Sequence, residues 1–169
     1  NDTTNVVRLC QALAGTYSID PAQAPSSSNF ISIQNAIDAL DCGGISATTT
    51  FEIATGTYSG HYIIPTITGT SPGNKVIFTS ATGNAADVII SDSSQSVSDN
   101  YIIQLYGASY ISFEDITFEN RGASYARVFD ISGESDSIII RNNVLIGHIA
   151  TSNSNNYAIV YSAGDLNNN

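Results

Sequence analysis

From residue 103 to residue 147 the chain repeats itself, and the form of that repeat limits what it can fold into. Laying residues 129–147 on 103–120, with one extra residue in the later turn, puts Ile131 on Leu105, Gly133 on Gly107, Ile138 on Ile111, Ile140 on Phe113 and Leu145 on Phe118. The tail starts the pattern again, with Val160 in the Phe129 slot and Gly164 in the Gly133 slot. Apolar residues two apart mark strands, because successive strand side chains point to opposite faces. Copies stacked in register hydrogen-bond to one another and align like side chains in internal columns.

Similar segments begin at Thr50 and read as pairs: TFEIATG with HYIIPTI, KVIFTSA with DVIISDS, YIIQLYG with YISFEDITFEN, and RVFDISG with SIIIRNNVLIG, followed by YAIVYSAGD. Their starts recur about every 25 to 30 residues, within the range of solenoid repeats. Each pair is expected to form one coil, giving four to five coils over residues 50–169. The composition agrees, lacking Met and Trp and rich in Ser, Thr, Asn, Gly and β-branched residues. An all-β solenoid follows. With 169 residues and 42% hydrophobic content, one modest core and a single domain, 1–169, are expected.

One helix stands out in the N-terminal segment, 1–49. After a Pro-, Ala- and Ser-rich loop, Ile33, Ala36, Ile37 and Leu40 fall on one face at spacings of three and four, with Ser32 as N-cap and Gly43 and Gly44 closing the end. An amphipathic helix with nothing helical after it must bury that face against strands. It is expected to cap the open end of the solenoid, where unpaired edge groups would otherwise recruit other chains.

Fifteen acidic and five basic residues leave a net charge of -10, which repels nucleic-acid phosphates and anionic headgroups. No run reaches the roughly 18 apolar residues of a membrane-spanning helix, and no basic region followed by an apolar run opens the chain. Cys10 and Cys42 are expected to form a disulfide worth about 3 to 4 kcal/mol, with two buried thiols as the alternative and no metal site at either.

The run AGTYSID, the FISIQNAIDAL helix with GGIS, the stretch TFEIATGTYSGHYIIPTITGTSPGNKVIFTS and YIIQLYGASYISFEDITFEN together resemble the start of right-handed parallel β-helix modules in Bacteroidetes-type secreted surface proteins. The resemblance covers about residues 14–147 and extends to the pectate-lyase-like superfamily. It implies a secreted, cell-surface location, a helix-capped N-terminal end and a long, repetitive parent. The sequence ends just after the first strand of a coil, so the chain is expected to be a fragment of a longer protein. The superfamily hosts lyases, hydrolases, tailspikes and adhesins, so the fold does not select a reaction.

Candidate chemistry is sparse. Glu114 and Arg141 share a slot on adjacent coils and read as an exposed ion pair; Gln104 and Asp130 share another. Asp115 and Asn142 occupy a bend, and Asn143 replaces Ile116 at an inward position as a hydrogen-bonded fold determinant. His61 and His148 lie in different coils and read as tolerated surface residues. No catalytic set and no cofactor is assigned, with Ca²⁺ in the Asp-rich turns as the alternative. Tyr106 and Tyr110, flanking a turn, are the expected exposed aromatic pair, able to stack on sugar rings. With Glu114 and Arg141 they form the candidate binding set. The expected function is a non-enzymatic structural or adhesion module contacting extracellular glycans or other copies. The alternatives are the N-terminal part of a polysaccharide lyase or glycoside hydrolase, and a subunit of an extracellular filament.

Overall fold

The computed structural model describes residues 10–149 and 153–162. Its elements, in order, are β1 (Leu13–Ile19), β2 (Asn29–Phe30), α1 (Ile33–Gly43), β3 (Ile45–Ile53), β4 (Gly56–Ser59), β5 (Tyr62–Ile64), β6 (Val76–Ser80), β7 (Val88–Asp92), β8 (Ile103–Tyr106), β9 (Ile111–Glu114), β10 (Thr117–Asn120), β11 (Phe129–Ser132), β12 (Ile139–Arg141), β13 (Val144–Ile146) and β14 (Val160–Ser162). They form three parallel sheets ordered β12-β9-β6-β3-β1-β2, β13-β10-β7-β4 and β14-β11-β8-β5. From β6 onward each strand pairs with the strand three before it, so the chain visits the sheets in turn, as in a parallel β-helix-like fold.

This corrects the two-strand coil read from the sequence. Each circuit holds three strands, and the pairs drawn along the chain cut across circuits: YIIQLYG completes the circuit of KVIFTSA and DVIISDS, while YISFEDITFEN supplies both β9 and β10. The short strand β4 carries a single buried apolar residue, Tyr58, and offers no alternation to detect. Strand β3 begins at Ile45 rather than Thr50, and β1, within the presumed N-terminal segment, pairs with it from Leu13↔Ile45 to Ile19↔Ile53 across one register irregularity.

The matched slots coincide with observed pairs: Ile131↔Leu105, Ile140↔Phe113, Leu145↔Phe118 and Val160↔Phe129. Gly164 lies outside the described residues. The extra residue of the later turn is Glu134, since Ser135 bonds Ala108 and Asp136 bridges Ser109. Backbone conformation repeats as well. Tyr110 and Ser137, Asp115 and Asn142, and Gly107 and Gly133 all have positive φ, each pair one coil apart. A Cβ on Gly133 would come 2.9 Å from the Gly107 nitrogen, so the stacked turns need glycine for both dihedral and space.

The core is a set of columns. Phe51, Phe78 and Phe113 stack along the largest sheet, with centroids 5.0 and 5.5 Å apart and interplanar angles of 17° and 12°. Phe118 and Phe129 turn their edges toward this column from the other two sheets. Helix α1 buries Ile33, Ala36, Ile37 and Leu40, as their spacing demands. The Asn35 amide donates to the Ser32 hydroxyl at 3.1 Å, and Gly44, φ 64, donates back to the Leu40 carbonyl at 2.8 Å. The helix packs on β1, β2 and β5, which places it at the end of the stack where the first strands lie. Cys10 and Cys42 form a disulfide with Cα atoms 5.4 Å apart, tying the entry to β1 to the end of α1.

Candidate functional site

Three of the four candidate binding residues lie on or beside the outer surface of the six-stranded sheet. Strand alternation that sends Phe51, Phe78, Phe113 and Ile140 inward sends Glu52, Thr79, Glu114 and Arg141 outward in one column. Arg141 Nη2 donates to Glu114 Oε2 at 2.5 Å, and the Ser112 hydroxyl donates to Glu114 Oε1 at 2.7 Å. The pair is only half exposed. The Arg141 side chain is 62% accessible but that of Glu114 only 13%, because Arg141 and Ser112 cover it. Burial pushes the Glu114 carboxyl up, but the hydrogen bonds from Arg141 and Ser112 and the Arg141 charge outweigh it and hold it below the usual glutamate range.

Tyr106 and Tyr110 do not form the exposed pair expected of them. Tyr106, ending β8 in another sheet, is 61% exposed, whereas Tyr110 is half-buried and held at φ 60 just before β9. Tyr110 lines a shallow groove of about 340 Å³ with Pro72, Lys75, Ser137, Ile138 and Ile139. Ile139 and Arg141 are two apart on β12, so the groove opens onto the face that carries the Glu114–Arg141 pair. Lys75 was not singled out by the sequence. Its groove neighbours come from the loop before it and from the turns of the next two coils, a proximity that only stacking creates. A ring, an aliphatic wall and an ammonium can together hold a sugar ring bearing an anionic group.

His61 has more company than a tolerated surface residue would. Its Nε2 lies 3.5 Å from the Ser94 hydroxyl, its ring meets Tyr101 edge-on at 5.9 Å, and its charge acts on Asp92. Burial raises the Asp92 carboxyl, but the Ser93 amide, the Ser59 hydroxyl and His61 bring it below its ordinary value. This grouping of Ser, His and Asp is not a nucleophile site. Ser94 is 2% exposed, and its oxygen already accepts from Asn120 Nδ2 at 2.6 Å. His148 is exposed beside Tyr157.

Most polar groups hold coils together. Asn143 accepts from the Ile116 amide at 2.9 Å and donates to the Phe113 carbonyl at 2.8 Å, the structural role expected of it, though half-buried. Buried Asn100 and Asn120, not singled out in the sequence, do the same: Asn120 donates to Ser94 and Arg127 and accepts from Ser94 and Gly122. Asn120 shares its slot with Asp92 and Gly147, and Asn100 lies before β8, so the repeat does not mark either as a buried Asn. Arg127 pairs with Asp130 at 2.9 Å, donates to the Asn155 carbonyl at 2.9 Å and lies 3.6 Å over the Tyr161 ring. It clasps residues 153–162 to the coil below. Among the described residues, no group of three or more His, Cys, Asp or Glu side chains could hold a metal ion, and no helix is long and apolar enough to cross a membrane. Comparison of the chain with known protein families, curated proteins and solved structures finds no match.

Proposed function

We propose that this chain is a non-enzymatic extracellular module, a right-handed parallel β-helix of the kind its sequence resembles, whose function is rigid extension with glycan contact along its largest sheet. One observation carries the reading: polar side chains along the sheets, the Glu114–Arg141 pair among them, are spent on joining one coil to the next. Glu114 meets Arg141 27 residues on, Asn143 bonds the turn of the coil below, Ser59 bonds Asp92, and Ser91 bonds Glu119. Every buried side-chain nitrogen and oxygen among the described residues has a partner. Stacked in-register sheets tied at each turn resist bending, which suits a spacer. Right-handedness is favoured because parallel strand-to-strand crossovers take that hand in about 98% of cases. The disulfide supports an oxidising, extracellular setting. The Lys75–Tyr110 groove, beside Arg141, is the contact point for an acidic glycan.

The test is incubation of the chain with acidic and neutral polysaccharides, reading both retention by affinity electrophoresis and bond cleavage. Retention by an acidic polysaccharide that Tyr110→Ala and Lys75→Ala weaken, with no new reducing ends or unsaturated products, is expected. Cleavage lost on replacing a single acidic residue would overturn the reading.

A further inference from the structure

We infer that the outer face of the sheet β14-β11-β8-β5 carries a second carbohydrate site, a platform centred on Tyr106 that takes a neutral sugar ring. It differs from the Lys75–Tyr110 groove in place and in charge, and does not depend on it. Tyr106 ends β8, where alternation sends Ile103 and Leu105 inward and Gln104 and Tyr106 outward. Ile63, paired with Gln104 from the coil before, points the same way. Tyr106 is 61% exposed and Ile63 45%, so a ring and a branched aliphatic chain stand in solvent on either side of one amide.

Two features set this patch apart from incidental exposure. The first is hydrogen bonding. One coil on, the partners of Gln104 and Tyr106 are engaged: Asp130 accepts from Arg127, and the Ser132 hydroxyl donates to the Leu105 carbonyl. The Gln104 carboxamide and the Tyr106 hydroxyl bond to no other group among the described residues. The second is the space around the ring. Gly107 follows Tyr106 directly, and Gly133 lies against the ring, where a Cβ would come 3.1 Å from Tyr106 Cδ2. These two stacked turn positions therefore put no side chain over the ring.

The groups fit one ligand chemistry. A pyranose with equatorial hydroxyls has an apolar C–H face that stacks on an aromatic ring, and a polar rim. Strand spacing sets Gln104 about 5 Å from Ile63 and about 7 Å from Tyr106, the reach of one or two sugar rings. With a sugar face on Tyr106, a rim hydroxyl meets Gln104, which both donates and accepts. Ile63 then covers the apolar side of the next ring. Charge decides the class of sugar. Arg127, just before β11, is bound to Asp130 and its side chain is only 13% accessible. Glu134, exposed just past Gly133, adds a carboxylate. An anionic chain is repelled here and a neutral one is not, the reverse of the groove at Lys75.

Affinity electrophoresis of the intact chain in gels containing hydroxyethylcellulose or glucomannan, both neutral, tests this, with polygalacturonate as the acidic control. The expected result is retardation by a neutral polymer that Tyr106→Ala weakens roughly tenfold and Gln104→Ala roughly threefold, while Tyr106→Phe keeps most of it. Lys75→Ala and Tyr110→Ala should leave that retardation unchanged, and Tyr106→Ala should not alter retention by polygalacturonate. Tyr106 is a surface ring, so its removal keeps the fold intact, which an unchanged melting temperature verifies. No retardation by either neutral polymer, retardation insensitive to Tyr106→Ala, or an equal loss with Lys75→Ala would each overturn the inference. So would a Tyr106-dependent shift from 17.8 kDa to twice that mass in sedimentation, which would make the occupant a second copy. The two sites are read on different polymers with different variants, so either reading fails without the other.

Discussion

Replacing Phe78 with alanine tests whether the apolar residues fill one continuous interior column. Phe78 is 2% exposed and sits between Phe51 and Phe113, stacked on both. Truncating a buried Phe costs about 3 to 5 kcal/mol in lost transfer energy and cavity formation. Two aromatic contacts add to the burial term, each worth roughly 0.5 to 1.5 kcal/mol. The rigid backbone of the coils above and below prevents collapse into the gap, which places the expected loss near 4 kcal/mol. With a urea dependence of about 2 kcal/mol per molar, the unfolding midpoint should fall by about 2 M at unchanged slope. Ile77, the next residue on the same strand, points outward and is half-buried. Its replacement by alanine should cost about 1 kcal/mol or less. If Ile77→Ala costs as much as Phe78→Ala, or if Phe78→Ala costs under about 1 kcal/mol, the inward column and the register behind it are wrong.

Four further outcomes follow from the same geometry. Gly133→Ala forces a side chain into φ 63 and against the Gly107 nitrogen, and should lower stability by about 1 to 3 kcal/mol in thermal unfolding, whereas Gly73→Ala, with open space around it, should be near neutral. Replacing Cys10 and Cys42 by serine removes a link spanning 32 positions and should cost about 3 to 4 kcal/mol in denaturant unfolding. Glu114 titrates below its ordinary value in the fold, so its contribution is present above the ordinary glutamate pKa and is lost as pH falls through the lowered one. Arg141→Ala should therefore lower the melting temperature by about 2 to 4 °C at neutral pH, with the gap closing well below pH ~4. Asp99, whose carboxylate accepts from the Ser96 hydroxyl and the Gln95 amide, should titrate at about 2 by NMR, and Ser96→Ala should move it back toward the ordinary aspartate value.

The site was legible only in part. Glu114 and Arg141 could be paired from the sequence because both sit in a repeated slot, and a slot match one coil apart is a prediction of contact. Tyr110 could not be distinguished from Tyr106 by the same means, since exposure depends on what the neighbouring coils lay over each ring. Lys75 joined Tyr110 and Ser137 only through stacking. Ser94, His61 and Asp92 came together across the turn between two sheets, where no repeat links them.

What the sequence determined by itself was local and periodic. Ser32, the three-and-four spacing of Ile33 to Leu40, and Gly44 specify α1 through short-range hydrogen bonds and one apolar face. Alternation and slot matching specify which residues of β8 to β14 face inward, because a slip of one residue would expose every apolar group. What only the tertiary structure decided was how many strands make a circuit, and so which residues meet. Gly56–Ser59 has too little alternation to declare itself, and it is a strand because β7 lies beside it to receive its hydrogen bonds. A short segment with one buried side chain gains its conformation from the neighbour it pairs with, and that neighbour lies some 30 residues away.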